Sequence, residues 1–511
     1  MREQSSGKTI AKNTIFLYAR LLITVLVSLY TARVVLQALG VNDFGLYNVV
    51  GGLVAMLGFL NAGMVQASQR FLSYEIGKED AKRLKDVFST TLLIHILIAI
   101  VIFVAIEVIG VWFLNTKMNV LPDRMVAANW VLQCTLLSFL FGVITVPYNA
   151  VIIAHEKMGF YAVMSIIDAI LKLGIVFLVV PYGGDKLILY SLLLLTIPAA
   201  EFFFYSLYCN RTFKESSYKP VYNKELFRKV LSFAGWSFVG NIGFAFRNNG
   251  VNIVINLFCG TAINAARGIA YQVSSQIVGF TSNFQMAIIP QITKRYAAND
   301  NQSMISLVIR GSKYSFILLY LIALPFCLRA DYVLQLWLGE VPQYTLEFVS
   351  LILIVSLIDG MAIPIGKAID ATGDIKWFQI TIAVLMLLDI PFAYVLLSLG
   401  VLPYVVVVSS IFVSLLGLFA RIIIVKRRFD IFPVLNYLTS VFLRCILIAF
   451  VTYFICYYLD KLVANNFIGL IVVCIMSVFI SSFFFFFFGL DKLEKESVKN
   501  IILTRFHKYK K

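Results

Sequence analysis

Apolar runs of eighteen or more residues recur along the whole of this 511-residue chain, separated by short polar connections. A run of that length makes a helix long enough to cross a hydrocarbon core of about 30 Å. The pattern predicts fourteen spans, at 12–38, 46–73, 88–114, 126–153, 159–181, 187–209, 231–258, 266–293, 306–328, 345–369, 377–399, 403–425, 435–458 and 467–489. The short alternating segments of a transmembrane barrel are not what the sequence offers. The expected fold class is an all-α polytopic membrane protein. The first span is long and no small-residue cleavage site follows it, so no cleavable leader is expected.

The polar positions inside these runs carry more information than the apolar ones, because each costs free energy against lipid. In the first span, "NTIFLYARLLITVLVSLYTARVVL", Asn13, Arg20, Thr24, Ser28 and Thr31 recur at steps that share one helical face. A cation at Arg20 costs about 2.5–3.5 kcal/mol or more if it meets hydrocarbon, so it is expected to face a cavity. Arg33, near the far end, can snorkel. The seventh span repeats the device with Ser237, Asn241, Asn248, Asn252 and Asn256, and Arg247 beside them. The second adds Asn61, Gln66, Gln69 and Arg70, and the eighth Gln272, Ser275, Gln276, Ser282, Asn283 and Gln285. These four helices are expected to line one hydrophilic vestibule. Asp168 and Lys172 stand four apart on the fifth span, an expected ion pair that is either structural or, as an ion-coupling candidate, part of the pathway. Asp359 and Asp389 lie in the tenth and eleventh with no local partner, and are candidates for coupling to H⁺ or Na⁺.

The chain repeats itself weakly. "VPYNAVIIAHEKMGFY" (146–161) aligns with "IPIGKAIDATGDIKWF" (363–378), bringing Pro147 onto Pro364 and Ala154 onto Ala371. "SQRFLSYEIGKED" (68–80) corresponds to "PQITKRYAAND" (290–300) as a polar exit from an apolar run. With six spans in each half, equivalent spans run the same way, a parallel repeat of the kind found in transporters. The expected organisation is a first lobe at 1–209, a linker at 210–230, a second lobe at 231–428, two further helices at 429–490 and a basic tail at 491–511.

Charge then orients the chain. Only 14% of residues are charged, yet 43 Lys and Arg outnumber 27 Asp and Glu, a net charge of +16. The excess crowds into alternate connections, such as 78–85, 210–229, 426–428 and 492–511, which places both termini in the cytoplasm. The same clustering argues against a nucleic-acid partner. The seven cysteines are scattered without CxxC spacing, and His95, His155 and His507 stand far apart. No metal site or metal cofactor is therefore expected. No phosphate-binding loop or Ser/His/Asp arrangement stands out, which argues against direct use of ATP and against catalysis.

At this point a resemblance becomes visible. "ALGVNDFGLYNVVGGLVAMLGFLNAGMVQASQRFLSYEIGK" (38–78), "LQLWLGE" (334–340) and "AIDATGDIKWFQI" (368–380) resemble polysaccharide flippases of the O-antigen type. These belong to the multidrug/oligosaccharidyl-lipid/polysaccharide exporter superfamily. The resemblance implies a MATE-like fold and a non-enzymatic transporter of the bacterial inner membrane. Its cargo would be an undecaprenyl-pyrophosphate-linked oligosaccharide, moved by alternating access for surface polysaccharide export. Partners would be that cargo, membrane lipids and the polysaccharide polymerase machinery, with the transporter itself a monomer. Basic residues of relatives hold the pyrophosphate, a role that passes to Arg20, Arg247 and Arg70. A guanidinium fork suits a phosphate, and the Asn and Gln faces suit sugar hydroxyls. A lipid II flippase shares this chemistry. A multidrug antiporter would want carboxylates where Arg20 stands, and a polymerase a sizeable outer loop that the sequence lacks.

Overall fold

Gly40 and Gly260 divide two very long helical runs. Each has a backbone that only glycine adopts readily, with φ 77° and ψ 169° at Gly40 and φ 80° and ψ −176° at Gly260. The computed structural model describes residues 2–55, 58–118, 120–217, 223–492 and 494–496. Residues 56–57 of the expected second span, 218–222 of the linker and 497–511 of the tail lie outside the described residues. Among the described residues there is no strand.

The helices follow in chain order. α1 (Arg2–Ala55) bends at Gly40, and α2 (Gly58–Lys78) carries the chain back. α3 (Ala81–Ala105) continues through a π-turn into α4 (Val111–Thr116), and α5 (Met125–Ala154), α6 (Met158–Val179) and α7 (Lys186–Thr212) complete a first bundle. α8 (Lys224–Ala297) holds two spans joined at the Gly260 bend. α9 (Asn301–Leu328), short α10 (Ala330–Leu338), α11 (Thr345–Thr372), α12 (Lys376–Leu387), α13 (Asp389–Ser398) and α14 (Val406–Arg428) pack with it into a second bundle. α15 (Val434–Tyr437), α16 (Arg444–Asp460) and α17 (Phe467–Phe484) follow, and α16 and α17 pack on α9.

Eleven of the described helical segments are long and apolar enough to cross a membrane. Of the other three that the hydrophobic pattern picked out, the two halves of α8 are polar, and the second (46–73) runs over residues 56–57, outside the described residues. The protein is a multi-pass membrane protein with an all-helical fold.

Backbone geometry echoes the repeat. Besides the two glycine bends, Glu79 and Asn299 both have φ 59°, and each precedes an aspartate, Asp80 or Asp300, that caps the next helix. Glu156 (φ 60°) and Gly373 (φ 82°) sit at the aligned turns after α5 and α11. The bundles meet along α2 and α8. Their approach is closest at Gly77, where an added Cβ would stand 2.6 Å from the Lys294 carbonyl oxygen. We call the end holding the N-terminus proximal and the other distal.

Candidate functional site

The seam between α2 and α8 encloses a cavity of about 210 Å³ in its proximal half. Gln66, Gln69, Arg70 and Ser73 line it from α2, at the spacing of one helical face. Ser282, Gln285 and Thr293 line it from α8, and Lys367 and Asp370 from α11. Ile153, Phe233, Met286, Ile289 and Pro290 complete the lining, so amides and hydroxyls share it with apolar side chains. Lys367 Nζ donates to Asp370 Oδ2 at 2.8 Å, which leaves Arg70 as the unneutralised charge. Arg70 Nη2 donates across the seam to the Ala371 carbonyl at 2.8 Å. Its guanidinium also stacks near Phe71 and Tyr74, at 4.6 and 4.7 Å. Its Nε has no partner, nor has Asp370 Oδ1.

Arg20 lies where α1 meets α8, between the bundles but outside the lining of that cavity. Its Nη2 donates to Asn283 Oδ1 at 3.1 Å, and its guanidinium sits 5.0 Å from the Tyr161 ring. Among the described residues no carboxylate pairs with it, and its buried Nε is unbonded. A cation held only by an amide and a ring face keeps most of its capacity to bind an anion. Thr24, one turn along, donates back to the Arg20 carbonyl at 2.9 Å.

Arg247 is built differently. Its Nε donates to Asp389 Oδ2 at 2.8 Å, and its Nη2 to the Ser410 carbonyl and Ser414 Oγ at 2.9 and 3.1 Å. Asp359 stands 3.7 Å away. Asp389 also accepts from Ser409 and Ser410, each at 2.6 Å. Arg247 is 3% exposed and Asp389 fully buried, whereas Asp359 is 29% exposed. One expectation is corrected here. Asp359 and Asp389 have their partner on a distant helix, since Arg247 pairs with both. Arg247 is not a free cation offered to the vestibule beside Arg20, because its donors are already committed inside the second bundle. The repeat explains part of the difference. The glycine bends are 220 residues apart, which sets Arg20 against Gly240 and leaves Arg247 about two helical turns away.

The remaining candidates divide. Gln66 reaches the cavity and Asn283 receives Arg20. Asn61 Oδ1 and Asn241 Nδ2 are buried without partners. Asn248 and Asn252 serve Arg267, through a backbone carbonyl and a side-chain oxygen. Gln276 is exposed. Asp168 and Lys172 form their pair at 2.9 Å on α6, with Lys172 half exposed.

Sequence reading also missed residues. Arg267, at the start of the expected eighth span, is 1% exposed, with Tyr271 Oη as a further acceptor at 3.2 Å. Lys313, early in the expected ninth span, is buried against Glu494 at 2.8 Å. Glu156 of the first bundle meets Lys294 of the second at 2.5 Å. Only the irregular spacing of charge at span ends could have hinted at these.

At the distal end Arg124 bridges Asp43 and Asp185 at 2.5 and 2.8 Å. Asp185 also caps α7, accepting from the Leu187 and Ile188 amides. Burial pushes its carboxyl up, but the Arg124 hydrogen bond and the two amides outweigh it and hold the group below its ordinary value.

Residues 10–295 match the family described as "Polysaccharide biosynthesis protein". No curated protein matches the chain. Among solved structures, an outward-facing multidrug resistance MATE family transporter of the MOP superfamily superposes with a TM-score of 0.72. It is 13% identical, over 84% of this chain and 97% of its own. A mutant of the Vibrio cholerae MATE transporter VcmN gives 0.70 at 15% identity, over 84% and 98%. A Pyrococcus furiosus transporter of the MOP superfamily, reported with a binding pocket of reversed polarity, gives 0.67 at 12%, over 82% and 96%.

Proposed function

Because the chain belongs to the polysaccharide biosynthesis protein family and has the fold of MATE transporters, we propose that it is a flippase for an anionic, lipid-linked oligosaccharide. The cargo we favour is an undecaprenyl-pyrophosphate-linked glycan, carried from the cytoplasmic to the outer leaflet of the bacterial inner membrane. The observation that carries this reading is Arg20: a cation between the bundles where α1 meets α8, with no carboxylate paired to it among the described residues and an unbonded Nε.

The physics of the cargo sets what the seam must supply. A sugar–diphosphate headgroup loses its hydration in hydrocarbon and needs replacement partners. Arg20 and Arg70 offer charge, and Gln66, Gln69, Gln285, Ser73 and Ser282 offer amides and hydroxyls. The lipid tail stays in the bilayer while the headgroup passes between the bundles, which rock about the α2–α8 contact. Asp359 is the coupling group we favour. It is the loosest and most exposed member of the Arg247 cluster, so a proton or Na⁺ taken up there would loosen that cluster. A multidrug antiporter fits less well, because the cavity's one carboxylate, Asp370, is already paired with Lys367.

The test is surface glycan in cells whose own flippase is deleted. Arg20→Ala is expected to lower it about 10–100-fold with normal membrane insertion, and Arg20→Lys to restore it in part, since charge returns without the fork. Full export by Arg20→Ala would remove the anionic-cargo reading.

A further inference from the structure

Where the bundles close against each other, they do so by a reciprocal grip. The turn after α11, at Gly373, is held by Arg70 of α2, which donates to the Ala371 carbonyl at 2.8 Å. The aligned turn after α5, at Glu156, is held by the far end of α8. There Glu156 Oε1 accepts from Lys294 Nζ at 2.5 Å, and Oε2 from Gln291 Nε2 at 2.6 Å. Each long helix of one bundle thus fastens a turn of the other, and both fastenings lie at the proximal end.

The two grips differ in chemistry. Arg70 meets a backbone carbonyl, which is neutral. Lys294 and Gln291 meet a carboxylate that is 9% exposed and spends one oxygen on each donor. A phosphate would take the same two donors in the same way. Glu156 is moreover held in a left-handed backbone that an L-residue adopts at a cost. Asn13 of α1 ties the same residue by donating to its carbonyl at 3.1 Å. The preceding residue fixes the turn to the linker: His155 Nε2 lies 2.5 Å from Glu215 Oε1, and its ring stacks on Phe213. The turn therefore keeps its place when the Glu156 side chain lets go.

We propose that Glu156 is the latch that holds the proximal end shut, and that the Lys294–Gln291 pair it occupies is the landing site for the phosphates of arriving cargo. The carboxylate is a built-in competitor. A diphosphate that takes Lys294 and Gln291 leaves Glu156 beside a like charge with no partner, and repulsion drives the first bundle, with the turn fixed to it, away from α8. Arrival of cargo then opens the seam toward Arg70 and Arg20. The landing half of this proposal rests on the anionic-cargo reading above, and the latch half does not.

The experiment uses the full chain in nanodiscs, with its seven cysteines replaced and spin labels at Lys157→Cys and Ala298→Cys, one on each side of the latch. Distances are recorded by pulsed electron resonance, with and without undecaprenyl diphosphate, whose binding is followed separately. The otherwise unaltered latch is expected to show one short distance. Glu156→Gln, nearly isosteric, is expected to add a longer-distance population of about half the molecules, since one lost ion pair shifts a two-state balance of this size. Undecaprenyl diphosphate is expected to raise that population with Glu156 intact and to leave it unchanged in Lys294→Met. A short distance retained in Glu156→Gln overturns the latch whatever the cargo is. An open Glu156→Gln, beside a Glu156 protein that binds the diphosphate and stays shut, overturns the landing site. No binding of the diphosphate at all overturns the anionic-cargo reading and with it the landing site, while the latch is judged on Glu156→Gln alone.

Discussion

Arg20 and Arg247 stand on the first long helix of their respective bundles, and their surroundings are opposite. Arg20 has one amide and one aromatic ring. Arg247 has Asp389, Asp359, a carbonyl and a hydroxyl, drawn from three other helices. The first bundle thus keeps a cation available where α1 meets α8, while the second spends its cation on holding α8, α11, α13 and α14 together. The lesson is that a repeat conserves the path of the backbone more faithfully than the use of a side chain. The glycine bends, the capped exits and the aligned turns recur, and the arginines do not share a register.

The most damaging way to probe this contrast is to strip Arg247. Arg247→Met leaves Asp389 buried with its charge uncompensated, and breaking a buried pair from one side costs about 3–5 kcal/mol. A large fall in melting temperature in detergent is the expected result, with little folded protein left to assay for transport. Arg247→Met combined with Asp389→Leu removes both charges and is expected to recover most of that loss. Equal stability of Arg247→Met and the unaltered protein would place Arg247 back beside Arg20 as a free cation.

Arg20→Ala comes next. With no carboxylate stranded, its melting temperature is expected to stay within a few degrees. Transport is expected to fall about 10–100-fold, the loss of one charge-assisted hydrogen-bonded contact of about 1.5–3 kcal/mol. The two substitutions together form a cross: one arginine matters to the fold, the other to the cargo. A melting temperature that drops as far in Arg20→Ala as in Arg247→Met would erase the difference between the bundles.

How much of this was legible in the sequence follows the same line. Periodicity finds helices because burial against lipid is a local demand, so even the halves of α8, too polar to pass for apolar spans, are found by it. The stripe through Asn13, Arg20 and Thr24 was legible for the same reason. Partners were not. Arg247 and Asp389 are 142 residues apart, and Glu156 and Lys294 138. Nothing in a local pattern says which distant helix supplies the counter-charge. Arg267 and Lys313 stand near the starts of their expected spans, where a charge looks like an exit to water, yet each helix buries it.

The mildest probe lies at the distal end, where the bundles again solve one problem in two ways. Arg124 of the first joins two carboxylates, Asp43 and Asp185. Arg329 of the second joins one carboxylate, Asp460, and the amide of Asn465, at 2.6 and 2.8 Å. Asp185→Asn makes the first clamp resemble the second, and asparagine still caps α7. The pair is partly exposed, so the expected cost at neutral pH is about 0.5–1 kcal/mol. The pH dependence separates charge from packing. Asp185 titrates below its ordinary value in the folded protein, so the unfolded chain takes up its proton first as pH falls. Its contribution is complete above the ordinary carboxylate range and is lost as pH drops through the lower, folded value. The stability gap between the unaltered protein and Asp185→Asn is therefore expected to be constant from about pH 6 to 8 and to close below about pH 4. A gap that persists in acid would assign the clamp to shape, and the first bundle would then owe no more to charge at its distal end than the second.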